Sequence, residues 1–217
     1  MHKPDVKQIL DLMIKEFGNR EFKPHNDPIA ELVQTILSQN TSDLNSRPAF
    51  KSLITAFGTW EKIILANPDS IAESIKSGGL ARIKALRIQK ALSDIQQRRG
   101  QLELRFLQNM PVPEAREWLM KLPGVGYKTA NCVLLFALGK PALPVDTHVF
   151  RVSKRLGLIR QKASFEEANI VLEPLIPPAS IYEFHVLMIE HGRHICTARK
   201  PGCLKCLLKI ICPAKVV

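Results

Sequence analysis

The amino-acid sequence predicts an all-α protein, and three features of the chain support this prediction. Apolar residues recur at intervals of three and four along most of the 217 residues, which is the spacing of one face of a helix. Proline and glycine interrupt these patterns and mark the ends of short helices. The single two-residue alternation, Leu102, Leu104 and Phe106, is too short to seed a sheet and predicts an extended connection.

Taken in order, four amphipathic patterns predict helices in the first half of the chain. Their apolar residues are Val6, Ile9, Leu10, Met13 and Phe17; Leu32, Val33, Ile36 and Leu37; Phe50, Leu53, Ile54 and Phe57; and Ile88, Ala91, Leu92 and Ile95. Prolines such as Pro28, Pro48 and Pro68 are expected at helix boundaries, because proline lacks the N–H that a helix interior needs. A boundary between two lobes is expected near 140–144.

The composition is that of a globular protein with an anionic partner. Apolar residues make up 46% and charged residues 24% of the chain, which excludes a disordered or collagen-like protein. Lys and Arg number 31 against 20 Asp and Glu, a formal charge of +11, which favours nucleic acid first and acidic membrane second.

No membrane-spanning or secretory segment is expected. The longest apolar run, 132–138, is far shorter than the roughly 20 helical residues that cross a bilayer. Residues 1–5 lead into no apolar core of a signal peptide, so we expect a soluble, intracellular protein.

The segment LPGVGYKT at 122–129 lies between two helical patterns and predicts a glycine hairpin. Gly124 and Gly126 permit backbone angles closed to other residues, and without a Cβ their amides can approach a phosphate directly. Such a hairpin would bind a nucleic-acid backbone independently of sequence. A tight turn with no ligand is the alternative.

Lys128 follows the hairpin in the first turn of the next helix. A neutral lysine amine can attack an electrophilic carbon such as a sugar C1′ and form a Schiff base, although the same position also suits a simple phosphate contact.

Asp146, in the segment PVDTHVFR at 144–151, stands at an N-cap position, and capping alone would explain it. His148 is expected on the helix surface or against a phosphate.

Four cysteines near the C-terminus form the most specific pattern of the chain. They are Cys196, Cys203, Cys206 and Cys212, with six, two and five residues between them. Four thiolates suit either a tetrahedral zinc ion or an iron–sulfur cube. Zinc ribbons use two Cys-x-x-Cys pairs, whereas one pair flanked by single cysteines favours the cluster. His191 and His194 keep zinc as the alternative, and Cys132 is expected to be an ordinary buried helix residue.

Basic residues surround these cysteines. Arg199 and Lys200 lie between the first two of them and are expected to present a basic loop to phosphate. Solvated surface charge is the alternative explanation.

Taken together, the hairpin, the Asp146 segment and the cysteine pattern resemble endonuclease III, of the helix-hairpin-helix DNA glycosylase superfamily. The resemblance extends from the helix ending in LSQNT at 37–41 to Cys212. It implies a bilobal all-α fold with DNA bound in the cleft. Residues 25–140 would form a central bundle containing the hairpin, and residues 1–24 plus 141–217 a second lobe carrying a [4Fe-4S] cluster.

The resemblance also implies an activity: a monomeric bifunctional DNA glycosylase and abasic-site lyase for oxidised pyrimidines in double-stranded DNA, acting in the cytoplasm on the nucleoid. Lys128 would be the nucleophile and Asp146 the assisting carboxylate. A monofunctional uracil or thymine-mismatch glycosylase and a non-catalytic DNA-structure binder are the two alternatives.

The DNA contacts follow from the same resemblance. Asn40 and Leu80 match the family's duplex-probing positions, with Gln39 sharing that role, and ordinary core packing is the alternative for Leu80. Tyr127 would contact DNA at a position where endonuclease III commonly carries Arg. The adenine glycosylase branch is not expected, because Gln34 replaces its glutamate.

Overall fold

The computed structural model of the chain describes residues 5–215; residues 1–4 and 216–217, at the two ends of the expected second lobe, lie outside them. The described residues form α-helices, short 3₁₀ turns and one π-helical segment, with no β-strand among them. The all-α prediction is therefore confirmed.

Eleven α-helices are found in the described residues. In chain order they are α1 (Val6–Phe17), α2 (Pro28–Ser38), α3 (Asp43–Phe57), α4 (Trp60–Leu65), α5 (Pro68–Ser74), α6 (Ala81–Arg99), α7 (Val112–Met120), α8 (Tyr127–Cys132), α9 (Thr147–Arg155), α10 (Phe165–Leu172) and α11 (Ile181–His194). They belong to two compact units, one formed by residues 24–140 and the other by residues 5–23 and 141–215.

Helix α2 lies at the centre of the 24–140 unit. Asp27 caps it by accepting a hydrogen bond from the Ala30 amide at 3.0 Å, and Pro28 is its first residue, where a missing N–H has no consequence. Its buried side chains include Leu32, Ile36 and Leu37, and they pack against α3, α6 and α8. This packing holds the start of α8 beside the end of α2.

The apolar run at 132–138 forms the core beneath α8. Cys132 is buried, and the chain continues from α8 into the π-helical segment Val133–Ala137, which is also largely buried. The run is therefore part of the domain interior. None of the helices in residues 5–215 is long and apolar enough to span a membrane.

In the other unit, α1 and α9 pack against α11. Phe22 stacks on Tyr182 with ring centroids 4.3 Å apart, and Arg20 pairs with Glu190 at 2.6 Å. After α11 the chain makes two 3₁₀ turns, Cys203–Lys205 and Leu207–Ile210, and the second of these packs against α1. The cysteine segment is thus anchored on α1.

Two local predictions are wrong. Pro48 lies inside α3 rather than at a boundary. The stretch around Leu104 is not simply extended, because Phe106 belongs to a 3₁₀ helix, Arg105–Asn109, and packs edge-on against Trp118 at 5.1 Å. The apparent two-residue alternation comes from this irregular turn and not from a strand.

Candidate active site and nucleic-acid interface

The hairpin connects α7 to α8, and its two glycines differ in kind. Gly124 has φ +78°, and a Cβ placed on it would lie 2.9 Å from the Cδ of Arg87. Gly126 has φ −99° and ψ −178°, an extended conformation open to any residue, and a Cβ there would meet nothing within 4 Å. The expectation that unusual backbone angles require glycine is correct for Gly124 and wrong for Gly126.

The Gln39 side chain connects the end of α2 to this hairpin. Its Nε2 donates to the Gly124 carbonyl at 3.1 Å and lies 3.2 Å from the Thr129 hydroxyl. Its Oε1 accepts a hydrogen bond from Arg87 Nη1 at 3.0 Å. In this conformation the Gln39 side chain links the end of α2 to the hairpin and to α6. The neighbouring Asn40 is the exposed residue of the pair.

Asn40 and Leu80 share an unusual backbone. Both are non-glycine residues in the left-handed region, with φ +53° and +51°, a conformation that is rare for a residue such as leucine. Leu80 precedes α6 and is 52% exposed. Its side chain is therefore not packed in the core, which was the alternative to a DNA-facing role.

Lys128 is the second residue of α8 and is half-buried. On α2, Glu31 is hydrogen-bonded to His25 and Thr35, each at 3.0 Å. Burial raises the pKa of Glu31, while the hydrogen bonds and the positive charge of Lys128 oppose the rise. The amine thus lies within electrostatic range of a partly desolvated carboxyl group.

Tyr127 is engaged inside its own unit. Arg116, only 7% exposed, donates from Nη1 to the Tyr127 hydroxyl at 3.2 Å, and its guanidinium lies 4.8 Å from the ring centroid. Arg116 also donates from Nε to Asn131 at 2.6 Å. These contacts fix the first turn of α8, in which Lys128 lies.

Asp146 caps α9, as its position predicted. Its Oδ1 accepts hydrogen bonds from the amides of His148 at 2.9 Å and Val149 at 2.8 Å. Next to it, the His148 ring lies 3.1 Å from an Arg151 guanidinium nitrogen. Burial lowers the pKa of His148, with Asp146 opposing and Arg151 adding to the shift. The His148 side chain is half-buried, and its expected contact with phosphate stays a prediction.

One pocket is lined by all four cysteines, Cys196, Cys203, Cys206 and Cys212, and each is a free thiol. Burial raises the pKa of Cys206 to about 11, and neighbouring charges including Cys196 and Cys212 add to the shift. No three His, Cys, Asp or Glu side chains of residues 5–215 are arranged to hold one metal ion. The structure thus brings the four thiols together in one pocket.

The two histidines behind the zinc alternative differ in environment. His191 is buried, with Nε2 3.7 Å from the Cys206 sulfur and Nδ1 3.7 Å from Glu16. His194 is exposed at the end of α11. Of the two, His191 is the one whose contact with a cysteine, Cys206, is seen in the described residues.

The loop between the first two of these cysteines is held by Arg155. Its guanidinium donates to the carbonyls of Thr197 at 2.7 Å and Ala198 at 2.9 Å. The next two residues, Arg199 and Lys200, are exposed. The loop is thus held at its backbone while two cations face solvent.

Sequence reasoning missed two residues of α6. Arg87 braces Gln39 and Gly124, and Lys84 is fully buried. A signal for Lys84 was present, because it lies four residues before Ile88 on the apolar stripe that continues to Leu92 and Ile95. A lysine on an apolar helix face either extends to solvent, or is buried with its ammonium group hydrogen-bonded inside the protein.

Comparison with known proteins agrees with this geometry. Residues 33–178 match the family described as HhH-GPD superfamily base excision DNA repair protein. Endonuclease III of Thermotoga maritima is 38% identical over 207 residues, which are 95% of this chain and 92% of that protein.

Two solved structures of endonuclease III with DNA are also similar. One is a non-covalent complex and the other a trapped covalent intermediate. Each superposes with a TM-score of 0.84 at 36% identity and covers 99% of this chain and 97% of the solved chain.

Proposed function

Because this chain belongs to the HhH-GPD superfamily of base excision DNA repair proteins, we propose that it is a bifunctional DNA glycosylase and abasic-site lyase for oxidised pyrimidines. Its partner is double-stranded DNA that contains a damaged base or an abasic site. The observation that carries the proposal is the placement of Lys128, an amine in the first turn of the helix that directly follows the glycine hairpin.

The proposed reaction uses Lys128 as the nucleophile. After the damaged nucleotide is flipped out of the duplex, the neutral amine attacks C1′, the glycosidic bond breaks and the base leaves with the bonding electrons and takes up a proton. The first proton of the amine is the one that the base takes up, and the second passes to O4′ as the C1′–O4′ bond breaks and the sugar ring opens, which leaves an imine between Nζ and C1′. Removal of a C2′ proton then expels the 3′ phosphate, and water releases the lysine.

Asp146 is proposed as the carboxylate that assists this step. It would accept a proton from the amine or stabilise positive charge developing at the sugar. Its capping contacts support the role indirectly, because two backbone amides on Oδ1 fix the position of the carboxyl group.

The DNA contacts are proposed in two groups. Gly124, Gly126 and the start of α8 would bind phosphate through backbone amides, with Tyr127 stacking on Arg116 behind them. Asn40 and Leu80 would enter the duplex at the lesion. Gln39 would act through its hydrogen bond to the Gly124 carbonyl, which fixes the hairpin. In the other compact unit, the residues that would contact DNA phosphate are His148, Arg199 and Lys200.

We also propose that the four cysteines hold a [4Fe-4S] cluster. Four thiols that line one pocket supply the number and type of ligand that such a cluster needs, and one Cys-x-x-Cys pair flanked by single cysteines supports the cluster over a zinc ribbon. When bound, the cluster would supply structural support to the Arg199–Lys200 loop. None of the steps above requires electron transfer.

The test is borohydride trapping on duplexes that contain an abasic site, thymine glycol or uracil, with wild-type protein and Lys128→Gln. We expect a covalent adduct with the wild type alone. Lys128→Gln nicking abasic DNA at the wild-type rate would contradict the assignment. Base release without an adduct would support the monofunctional alternative, and tight, salt-sensitive binding without base release would support the DNA-structure binder.

A further inference from the structure

Lys84 is among the most deeply buried large side chains of the protein, with 1% of its surface exposed. Its ammonium donates to the carbonyl of Leu37 at 2.6 Å and to the carbonyl of Gly78 at 2.7 Å. Leu37 is in the last turn of α2, and Gly78 ends the 3₁₀ turn before α6. One side chain therefore joins two segments that are 41 residues apart in the sequence.

These two carbonyls have particular neighbours in the chain. Leu37 precedes Asn40 by three residues, and Gly78 precedes Leu80 by two. Asn40 and Leu80 are two of the three non-glycine residues with positive φ in the described chain. Lys84 also holds the second turn through its backbone, because its amide donates to the Leu80 carbonyl at 3.0 Å.

A buried ammonium needs a physical reason. Desolvation of a cation is costly, and an apolar side chain would fill the same space without that cost. Burial, with the nearby charge of Arg87, lowers the pKa of Lys84, which shows that the environment opposes the charge. What the charge provides is two short, charge-assisted hydrogen bonds to otherwise separate turns.

Strained backbone also needs support from its surroundings. Left-handed non-glycine residues persist where neighbouring structure fixes them, and they concentrate at functional sites. In the turn that carries Leu80, Lys84 makes two of the hydrogen bonds, one from its side chain to the Gly78 carbonyl and one from its amide to the Leu80 carbonyl. At the other turn the same side chain binds the helix end that leads to Asn40.

We propose that Lys84 is a positioning residue that couples the Asn40 turn to the Leu80 turn, so that both enter the duplex as one unit. The proposal rests on the proposed function, in which these two turns contact DNA at the lesion. Lys84 itself touches neither DNA nor the reacting atoms. Its effect is to fix the distance between the Asn40 turn and the Leu80 turn. A change of about 1 Å in that distance would misplace both side chains relative to the duplex.

The experiment compares Lys84→Met, which keeps the volume and removes the charge, with Lys84→Arg, which keeps a cationic donor. Lys90→Met, at an exposed position of the same helix, is the matched control. Each variant is tested for adduct formation on an abasic site in duplex and in single-stranded DNA. The rise in 2-aminopurine fluorescence beside a tetrahydrofuran abasic analogue in duplex DNA reports nucleotide extrusion without chemistry.

For Lys84→Met we expect the rate of adduct formation on duplex DNA to fall by at least about tenfold, because misplaced Asn40 and Leu80 side chains would no longer stabilise the extruded nucleotide. The fluorescence rise should be lost with it, while single-strand trapping stays within about twofold of wild type. Lys84→Arg should recover part of the duplex rate, and Lys90→Met should match wild type. An unchanged duplex rate in Lys84→Met, or an equal loss on both substrates, would overturn the inference.

A second measurement decides the matter if Lys84→Met does not fold. Asn40→Ala and Leu80→Ala truncate exposed side chains and leave Lys84 in place. If the turns act as one unit, the double variant should lose less duplex activity than the product of the two single losses. Losses that simply multiply would overturn the coupling. Failure of the proposed function is distinct, because wild-type protein would then form no adduct on either substrate.

Discussion

The Arg87 side chain lies against Gly124 so closely that a Cβ on the glycine would fall 2.9 Å from Cδ and 3.0 Å from Cγ of the arginine. The same arginine binds Gln39 at 3.0 Å. The hairpin therefore packs against α6 at Gly124, which of the two hairpin glycines is the one with a positive φ. Gly126, two residues on, faces open space.

This difference predicts opposite outcomes for two similar substitutions. Gly124→Ala should lower the free energy of unfolding by about 2–4 kcal/mol, because left-handed backbone and overpacking against Arg87 each cost about 1–2 kcal/mol. Gly126→Ala should change it by less than about 0.5 kcal/mol, yet weaken duplex binding, because its methyl group would stand before the α8 amides. Urea unfolding and DNA titration separate the two effects, and equal destabilisation would contradict the prediction.

Asp146 offers a test that separates capping from catalysis. Asp146→Ala removes both cap hydrogen bonds and should cost about 1 kcal/mol of stability, whereas Asp146→Asn keeps an accepting oxygen and should cost a few tenths. Both should slow base release by about a hundredfold or more, because both remove the carboxylate. Single-turnover base release and thermal unfolding are measured together. Full activity in Asp146→Asn would leave Asp146 as a cap alone.

The local features of this molecule could be predicted from the sequence. Helix faces, the hairpin and the Asp146 cap depend on residues within one or two turns of each other, and such patterns are visible along the chain. Four cysteines within 17 residues likewise indicate a common pocket.

The hydrogen bonds that Gln39 and Lys84 make to distant backbone carbonyls could not be predicted. They join segments far apart in the sequence, and no periodic pattern of residues marks the two partners. Gln39 reaches a carbonyl 85 residues away, and Lys84 one 47 residues away. A backbone carbonyl is present at every position, so nothing in the sequence singles out the acceptor. Pro48 was misplaced for a related reason, since tertiary packing kept α3 continuous despite its missing N–H.

Glu31 predicts a pH-dependent stability. Burial raises its pKa above the ordinary value of 4.5, so the folded chain keeps this proton to a higher pH than the unfolded chain. Stability is then lost as pH rises from about 4.5 through the raised value. Glu31→Gln should match wild type below pH 4.5 and be more stable than wild type above it, with a difference that grows as Glu31 of the wild type ionises.

The measurement is urea unfolding of the Glu31 variant from pH 4 to 7.5, with Glu21→Gln as control, because Glu21 is an exposed carboxylate in the loop after α1. The control should follow the wild-type curve throughout. A Glu31→Gln protein that is less stable than wild type at neutral pH would contradict the direction of the shift.

The last prediction concerns Cys203, one of the four thiols in the common pocket. Wild-type protein prepared without oxygen should be yellow-brown and contain iron and sulfide at about four each per chain. Cys203→Ser should lose much of both. Because this segment packs against α1 and is contacted by Arg155 of α9 and His191 of α11, the thermal stability of the variant and its affinity for duplex DNA should fall together.

Cys132→Ala is the matched control, since Cys132 is buried in α8, in the other compact unit of the chain. It should keep the wild-type content of iron and sulfide, with only the modest loss of stability that a small core truncation causes. Stoichiometric zinc without iron in the wild type would replace the cluster by the zinc alternative. Loss of strand cleavage alone in Cys203→Ser, with folding and DNA affinity intact, would contradict a structural role, because a support that acts through the basic loop must weaken binding when it is removed.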